Sequence, residues 1–271
     1  MTSFRLLALN LIVFLLCNFA LARSAFAQVD PFELEVFDYR TSGRGIPGVA
    51  WLNSYVPNGH SGEGEGTSSG TLASNLMYRT TLELSYGITD HLDASVDLNL
   101  AWPNAASLEY AGSKYRLKGN LFEQEQFGLF AGWFVELGWL RTPQFNENQL
   151  EVEIRPIIEK DFGQAQIVLN PKFEKGIFVG PNHNRGFEFG YAAGLYYRLT
   201  KDISPGLEFY GGIGHVNDTD PLRQQQHYVF PILRIEAVEG TELSVGPGFG
   251  LTSGSDRVLM KLNIEFDLSR H

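Results

Sequence analysis

The residues best suited to chemistry in this 271-residue sequence are two histidines, the polar run between them and one glycine-rich stretch. His215 and His227 bracket Asn217-Asp218-Thr219-Asp220. A hydrolase would need one of these imidazoles within hydrogen-bond reach of a serine hydroxyl, and sequence spacing supplies no such partner. "NDTD" begins like a calcium loop but lacks the glycine and the distal glutamate that complete one. "GEGEGTSSG", residues 62–70, resembles a phosphate cradle only superficially, because no Lys-Ser/Thr pair follows it and no helix starts behind it. No paired histidines stand at metal-ligand spacing. The expectation is no catalytic residue, no metal, no cofactor and no enzyme.

Charge at a different spacing is more informative. In "LEVEIRPIIEK", residues 150–160, Leu150, Val152, Ile154 and Ile158 fall on one face of a strand. Glu151, Glu153, Arg155 and Glu159 fall mainly on the other, because strand side chains alternate with period two. Similar rows place Lys114, Arg116 and Lys118 on a fourth strand and Glu136 on a fifth. Lys172 and Glu174 follow on a seventh, with Glu208, Lys261 and Glu265 further along. Inside a transmembrane barrel these residues would line a polar lumen, either as a field that orients a solute or as ion pairs that fill and stiffen it. Gly190, Gly194, Gly212, Gly214, Gly246, Gly248 and Gly250 are expected on the same inner face, leaving room for a conduit or for an inserted segment.

The elements that must carry these rows read as twelve strands from Gly48 onward, near 48–57, 72–87, 91–102, 107–121, 127–139, 149–162, 164–177, 186–199, 203–214, 225–238, 241–252 and 256–268. Many are long enough to cross a bilayer at a tilt, which takes about 9–11 residues. Short connections such as Thr89-Asp90-His91 take turns with longer ones such as residues 58–70. Brief turns at one end and long loops at the other, with an even strand count, describe an all-β, antiparallel, up-and-down outer-membrane barrel. Tyr86, Trp102, Trp139, Phe162 and Tyr197 lie near strand ends, where interfacial aromatic girdles belong. A lipocalin-like barrel would invert the two faces, and the period alone does not separate the cases.

The first 27 residues carry Arg5, an apolar run from Leu6 to about Leu16, and Ala25-Phe26-Ala27, which reads as a secretory signal peptide cut before Gln28. A retained anchor is the competing reading. Cys17 is the only cysteine, and Leu16 before it does not suit lipidation, so the mature chain is expected to hold no disulfide. A formal charge of −10 disfavours nucleic acid as a partner. Residues 28–47, which include "FELEVFDY", are read as a periplasmic or lumenal segment, since counting them as a spanning strand would make the total odd. The barrel itself is expected over residues 48–271.

Residues 150–176, 206–214, 224–233 and 246–266, with "LELSYGITDHLDASVDL", resemble a group of little-characterised proteobacterial outer-membrane barrels. More distantly they resemble transporter-type barrels labelled as phenol-degradation (MetA-pathway) proteins. The resemblance implies an envelope barrel and carries over no binding or catalytic residue. The final residues run "FDLSRH" past Phe266, where many such barrels end on an aromatic.

Three functions fit: a passive or weakly selective channel for small solutes, a plugged structural or surface-interaction barrel, and a membrane-embedded hydrolase using His215 or His227. The channel fits best, with outer-membrane lipid, lipopolysaccharide and a small solute as partners and the oligomeric state unread. A soluble periplasmic β-protein is the class-level alternative.

Overall fold

The computed structural model describes residues 29–30, 32–60, 74–103, 107–142, 147–178, 186–238 and 240–268. The expected leader and the glycine-rich stretch 62–70 lie outside them. Twelve long strands form the wall: β1 (Pro47–Asn58), β2 (Tyr78–Thr89), β3 (Leu92–Trp102), β4 (Glu109–Phe122), β5 (Phe130–Thr142), β6 (Glu147–Phe162), β7 (Ala165–Gly176), β8 (Glu188–Tyr197), β9 (Ile203–His215), β11 (Gln226–Val238), β12 (Thr241–Gly250) and β13 (Val258–Asp267). The two-residue β10 (Asp218–Thr219) folds back antiparallel on the end of β9, pairing Asp218 with His215 and Thr219 with Gly214. Each long strand pairs antiparallel with its chain neighbours, and β1 pairs with β13, so the sheet closes and has no free edge in the wall. Closure is what the bilayer demands, because an unpaired backbone edge in hydrocarbon has no water to bond.

Which row faces out decides between a soluble barrel and a membrane one. On β3, Val96 and Leu98 are exposed while Asp97 and Asn99 are buried. On β6, Ile154 and Ile158 are exposed and Glu153, Arg155 and Glu159 are buried. On β13 the same holds for Met260 and Leu262 against Lys261 and Asn263. Aliphatic rows outside and charged rows inside are the inverse of a lipocalin-like barrel, and an apolar surface of this extent needs lipid against it. Trp102, Trp139, Tyr55 and Phe187 are exposed at the long-loop end, and Tyr86, Phe162, Tyr197 and Phe266 at the short-turn end, giving two aromatic belts.

Local departures from the expected strands have simple causes. The second strand starts at Tyr78 because 74–77 make the turn into it, with Met77 N–H donating to Ser74 O. A helical turn, α1 (Gln124–Phe127), replaces part of the expected β4–β5 connection and is closed by Gly128 at φ 75°, so Gly128 belongs to a cap and not to β5. A bulge near Ile213 puts Gly214, at φ 107°, opposite outward-facing Phe189, so Gly214 leaves the inner row and His215 enters it opposite Glu188.

Residues 29–46 run through the lumen. The segment starts at the long-loop end, where Val29 N–H donates to Gln226 Oε1 at 2.8 Å. Thr81 donates to Phe32 O and Asn263 to Leu34 O. Asn170 clamps Phe37 from both sides, accepting its N–H at 2.8 Å and donating to its carbonyl at 2.9 Å. Tyr39 then stacks on Phe130, and Arg44 N–H reaches Asp90 in the short β2–β3 turn. Gly45 N–H donates to Gly87 O there and Gly87 N–H to Ile46 O, and a Cβ on Gly87 would lie 1.8 Å from Gly43 O, so only glycine fits that crossing.

Candidate functional site

The inner row of β4 aims Lys114, Arg116 and Lys118 into the lumen, flanked across the ladder by Asp97 on β3 and Glu136 on β5. Register does the rest. Glu136 stands opposite Glu153, and Glu153 opposite Glu174, so acidic residues of β5, β6 and β7 line up beside the cations of β4. Arg155 and Lys172 interleave with them on β6 and β7.

Glu33 of the inserted segment closes this arc. Its carboxylate accepts from Lys114 at 2.9 Å, from Arg116 at 3.1 Å and from Arg155. Lys114 also pairs with Asp30 at 2.5 Å and Glu136 at 2.8 Å. Arg116 reaches Glu83 and Asp97, each at 2.6 Å, and Glu136 at 3.2 Å. Glu153 takes Arg155 at 2.5 Å and Lys172 at 3.1 Å, and Lys172 reaches Glu174 at 2.9 Å. Phe37 stacks on Phe134 with ring centres 5.0 Å apart, and the Arg116 and Arg155 guanidiniums lie 4.7–5.2 Å from both rings. Burial raises the Glu33 carboxyl, but Arg155, Lys114 and Arg116 outweigh it and hold the group well below the usual carboxylate range. Glu35, two residues on, faces Glu265 and Glu83, and burial together with those charges pushes it well above that range.

A second cluster lies on the other side of the segment. Glu208 on β9 accepts from Lys261 Nζ and Tyr210 Oη, each at 2.6 Å, and from Tyr196 Oη at 2.9 Å. Arg234 lies over the Tyr196 ring at 3.6 Å and donates to its hydroxyl at 2.6 Å. Around this cluster the lumen is apolar: Leu34 and Val36 of the segment pack with Val56, Tyr228, Phe230, Ile232 and Leu259. Aromatic rings occupy the space that two of the inner glycines leave, while Gly190, Gly246 and Gly250 lie against neighbouring backbone. A Cβ on Gly194 would meet the Tyr196 ring at 2.4 Å, and one on Gly248 the Phe230 ring at 2.2 Å.

The residues expected in the lumen are thus distributed unevenly. Lys114, Arg116, Glu136, Glu153, Arg155, Lys172 and Glu174 come together in the first cluster, and Glu208 and Lys261 in the second. Glu151 stands apart, accepting from Gln149 at 2.9 Å. Lys118 lies 3.8 Å from Asp38 and, with Glu265, lines a space of about 400 Å³ bounded by the segment and by β1 to β4 and β11 to β13. Sequence reasoning missed Glu33, Glu83, Tyr196, Tyr210 and Arg234 as members of these clusters. The alternation in "FELEVFDY" was the available signal for Glu33, but its partners lie 81 to 122 residues away.

Chemistry finds little footing. His227 points outward, bonded to Tyr191 Oη at 3.0 Å and Gln225 Oε1 at 2.8 Å, whereas His215 points inward near Glu188. The two imidazoles are therefore on opposite sides of the wall. Glu33, Asp97 and Glu136 are the one acidic triplet among the described residues close enough to share a metal ion, and Lys114 and Arg116 already occupy the positions an ion would take.

No protein-family model matches the chain, and no curated protein matches it. Among solved structures, it is similar to an outer-membrane channel from Pseudomonas putida F1, with a TM-score of 0.60 at 13% identity over 87% of this chain and 100% of that one. It is also similar to the KdgM porin, with a TM-score of 0.51 at 10% identity over 81% of this chain and 98% of that one. That porin has also been solved in complex with disordered oligogalacturonate. At these identities the likeness is one of fold, and it points, with the closed barrel, to the outer membrane.

Proposed function

We propose that the chain is an outer-membrane channel for small solutes, not an enzyme, and that its lumen is closed by its own residues 29–46. The observation that carries this reading is the nature of the stopper. The wall is a complete twelve-strand barrel, while the lumen is occupied by a segment that joins no strand of the sheet and, apart from the backbone bonds of Gly45 and Ile46 with Gly87 at its end, is held largely through side chains. Such a segment can leave without breaking the barrel. A small organic solute agrees with the distant likeness to phenol-degradation barrels, and lipopolysaccharide would meet the long-loop end.

The test is single-channel recording of the refolded full chain in a planar bilayer with a salt gradient, beside Glu33→Gln. Removing one member of a buried charge cluster costs about 3–5 kcal/mol. Discrete openings that become at least tenfold more frequent in the variant would support the channel. Silence of both proteins at every voltage, from samples that remain heat-modifiable, would favour a plugged, interaction-type barrel, a reading supported by the many points at which the wall grips the segment.

A further inference from the structure

Glu33 and Phe37 present an odd combination to the wall. A carboxylate and a phenyl ring, four residues apart, both contact the same two buried guanidiniums, Arg116 and Arg155. The wall supplies the complement of each: Lys114, Arg116 and Arg155 donate to the carboxylate, and the fully buried Phe134 ring stacks on the phenyl. The backbone that carries the wall side of the site belongs to strands: Lys114 and Arg116 stand on β4, Phe134 on β5 and Arg155 on β6.

We propose that this is the solute site of the channel, that it binds aromatic monocarboxylates, and that Glu33 with Phe37 occupies it as a tethered stand-in for the solute. Three observations argue for a ligand and against simple packing. Arg155 Nη1 is buried with no hydrogen-bond partner, so the fork has a donor that Glu33 does not use and a free carboxylate, reaching it bidentately, would. Exchange of one carboxylate for another leaves the charge of the cluster unchanged, so the neighbouring Glu136, Asp97 and Glu153 oppose the incoming solute no more than they oppose Glu33. The ring position is flanked by both guanidiniums, which favours an aromatic face over an aliphatic chain of the same size. The site is thus specified for a carboxylate and a ring together.

This inference rests on the channel reading for its role but not for its test. Equilibrium binding of phenylacetate, benzoate, acetate and phenol to the detergent-solubilised full chain is measured by calorimetry, for the wild type, Glu33→Gln and Phe37→Leu. Either substitution weakens the tethered competitor while leaving the wall intact, so phenylacetate and benzoate are expected to bind at least tenfold more tightly to the variants. Acetate lacks the ring and phenol the carboxylate, and both are expected to bind at least tenfold more weakly than phenylacetate. If Glu33→Gln fails to fold, Phe37→Leu carries the comparison, because it removes no charge. Equal binding of all four compounds, or no saturable binding to a folded variant, would overturn the proposal. Saturable, selective binding to a protein that never conducts would sustain the site and sink the channel, and the reverse result would do the opposite.

Discussion

At the scale of single residues, the inserted segment is held by carboxylates whose environments pull in opposite directions. Glu33 is held low by Arg155, Lys114 and Arg116 against the effect of burial. Burial likewise raises Asp38, but Arg40 and Lys118 bring it down to about 2. A group whose value falls on docking stabilises the docked state above its ordinary range and loses that contribution as pH falls through the lowered value. For Glu33 and Asp38 that loss begins below their ordinary values of 4.5 and 3.8. Glu35 is raised by burial, Glu265 and Glu83, so it favours docking below 4.5 and loses that contribution as pH rises through its higher value. Docking is therefore expected to be tightest between about pH 4 and 5, with openings more frequent on either side. Glu35→Gln should remove the rise toward alkaline pH and leave the acid limb in place. Recording open probability against pH for both proteins checks this, and an alkaline limb that survives in the variant would show that Glu35 is not its source.

At the scale of strands, two seams in the wall differ from the rest. The β6–β7 ladder pairs Ile154 with Phe173 and resumes in the same register at Ile158 with Leu169, which sets Pro156 opposite Pro171. The β11–β12 ladder is interrupted in the same way between Val229–Phe249 and Leu233–Val245, which sets Pro231 opposite Pro247. Opposed residues at such a position would exchange both N–H···O bonds, and proline has no N–H to give. The interruption is confined to one side of each strand, since Pro156 keeps its pairing with Trp133 and Pro171 with Tyr191. Replacing Pro156 and Pro171 together by valine should restore both bonds and stabilise the barrel by about 1–3 kcal/mol, read as a higher temperature for the heat-induced mobility shift. A lower temperature would mean that the prolines fit a backbone geometry valine cannot adopt.

The same scale shows what the sequence revealed and what it withheld. The twelve strands were legible because alternation is a local property: Asp97 between Val96 and Leu98 names its own face. The bulge that turns Gly214 out and His215 in was not, because it depends on how β8 and β9 align. Nor did alternation say whether the inner glycines border open space. Gly194 and Gly248 border the Tyr196 and Phe230 rings, one two residues along the same strand and the other on the neighbouring one, and only three-dimensional placement brings ring over glycine. The charged arc was legible strand by strand, but its closure by Glu33 was not, since "FELEVFDY" has the alternation of a strand and pairs with none. Its two faces match a divided lumen: Glu33 and Phe37 meet the charged wall of β4 to β6, and Leu34 and Val36 meet the apolar wall that includes β1, β11 and β13.

For the molecule as a whole, the path of the segment fixes an unusual topology. β1 begins and β13 ends at the short-turn end, which in outer-membrane barrels is the periplasmic one. Residues 29–46 precede β1 yet start at the opposite end, beside Gln226 in the long-loop region. The chain therefore runs the length of the lumen once before it enters the wall, which is expected to put Val29 near the cell exterior. Val29→Cys gives a direct reading, because Cys17 in the expected leader is the only native cysteine. A membrane-impermeant maleimide added to intact cells should label Val29→Cys and spare Asp90→Cys, which lies in the short β2–β3 turn. Agents that empty the lumen, including Glu33→Gln, should lower the labelling of Val29→Cys from outside if the released segment falls back to the periplasm. Labelling of Asp90→Cys with protection of Val29→Cys would reverse the orientation and place the long loops inside the cell envelope.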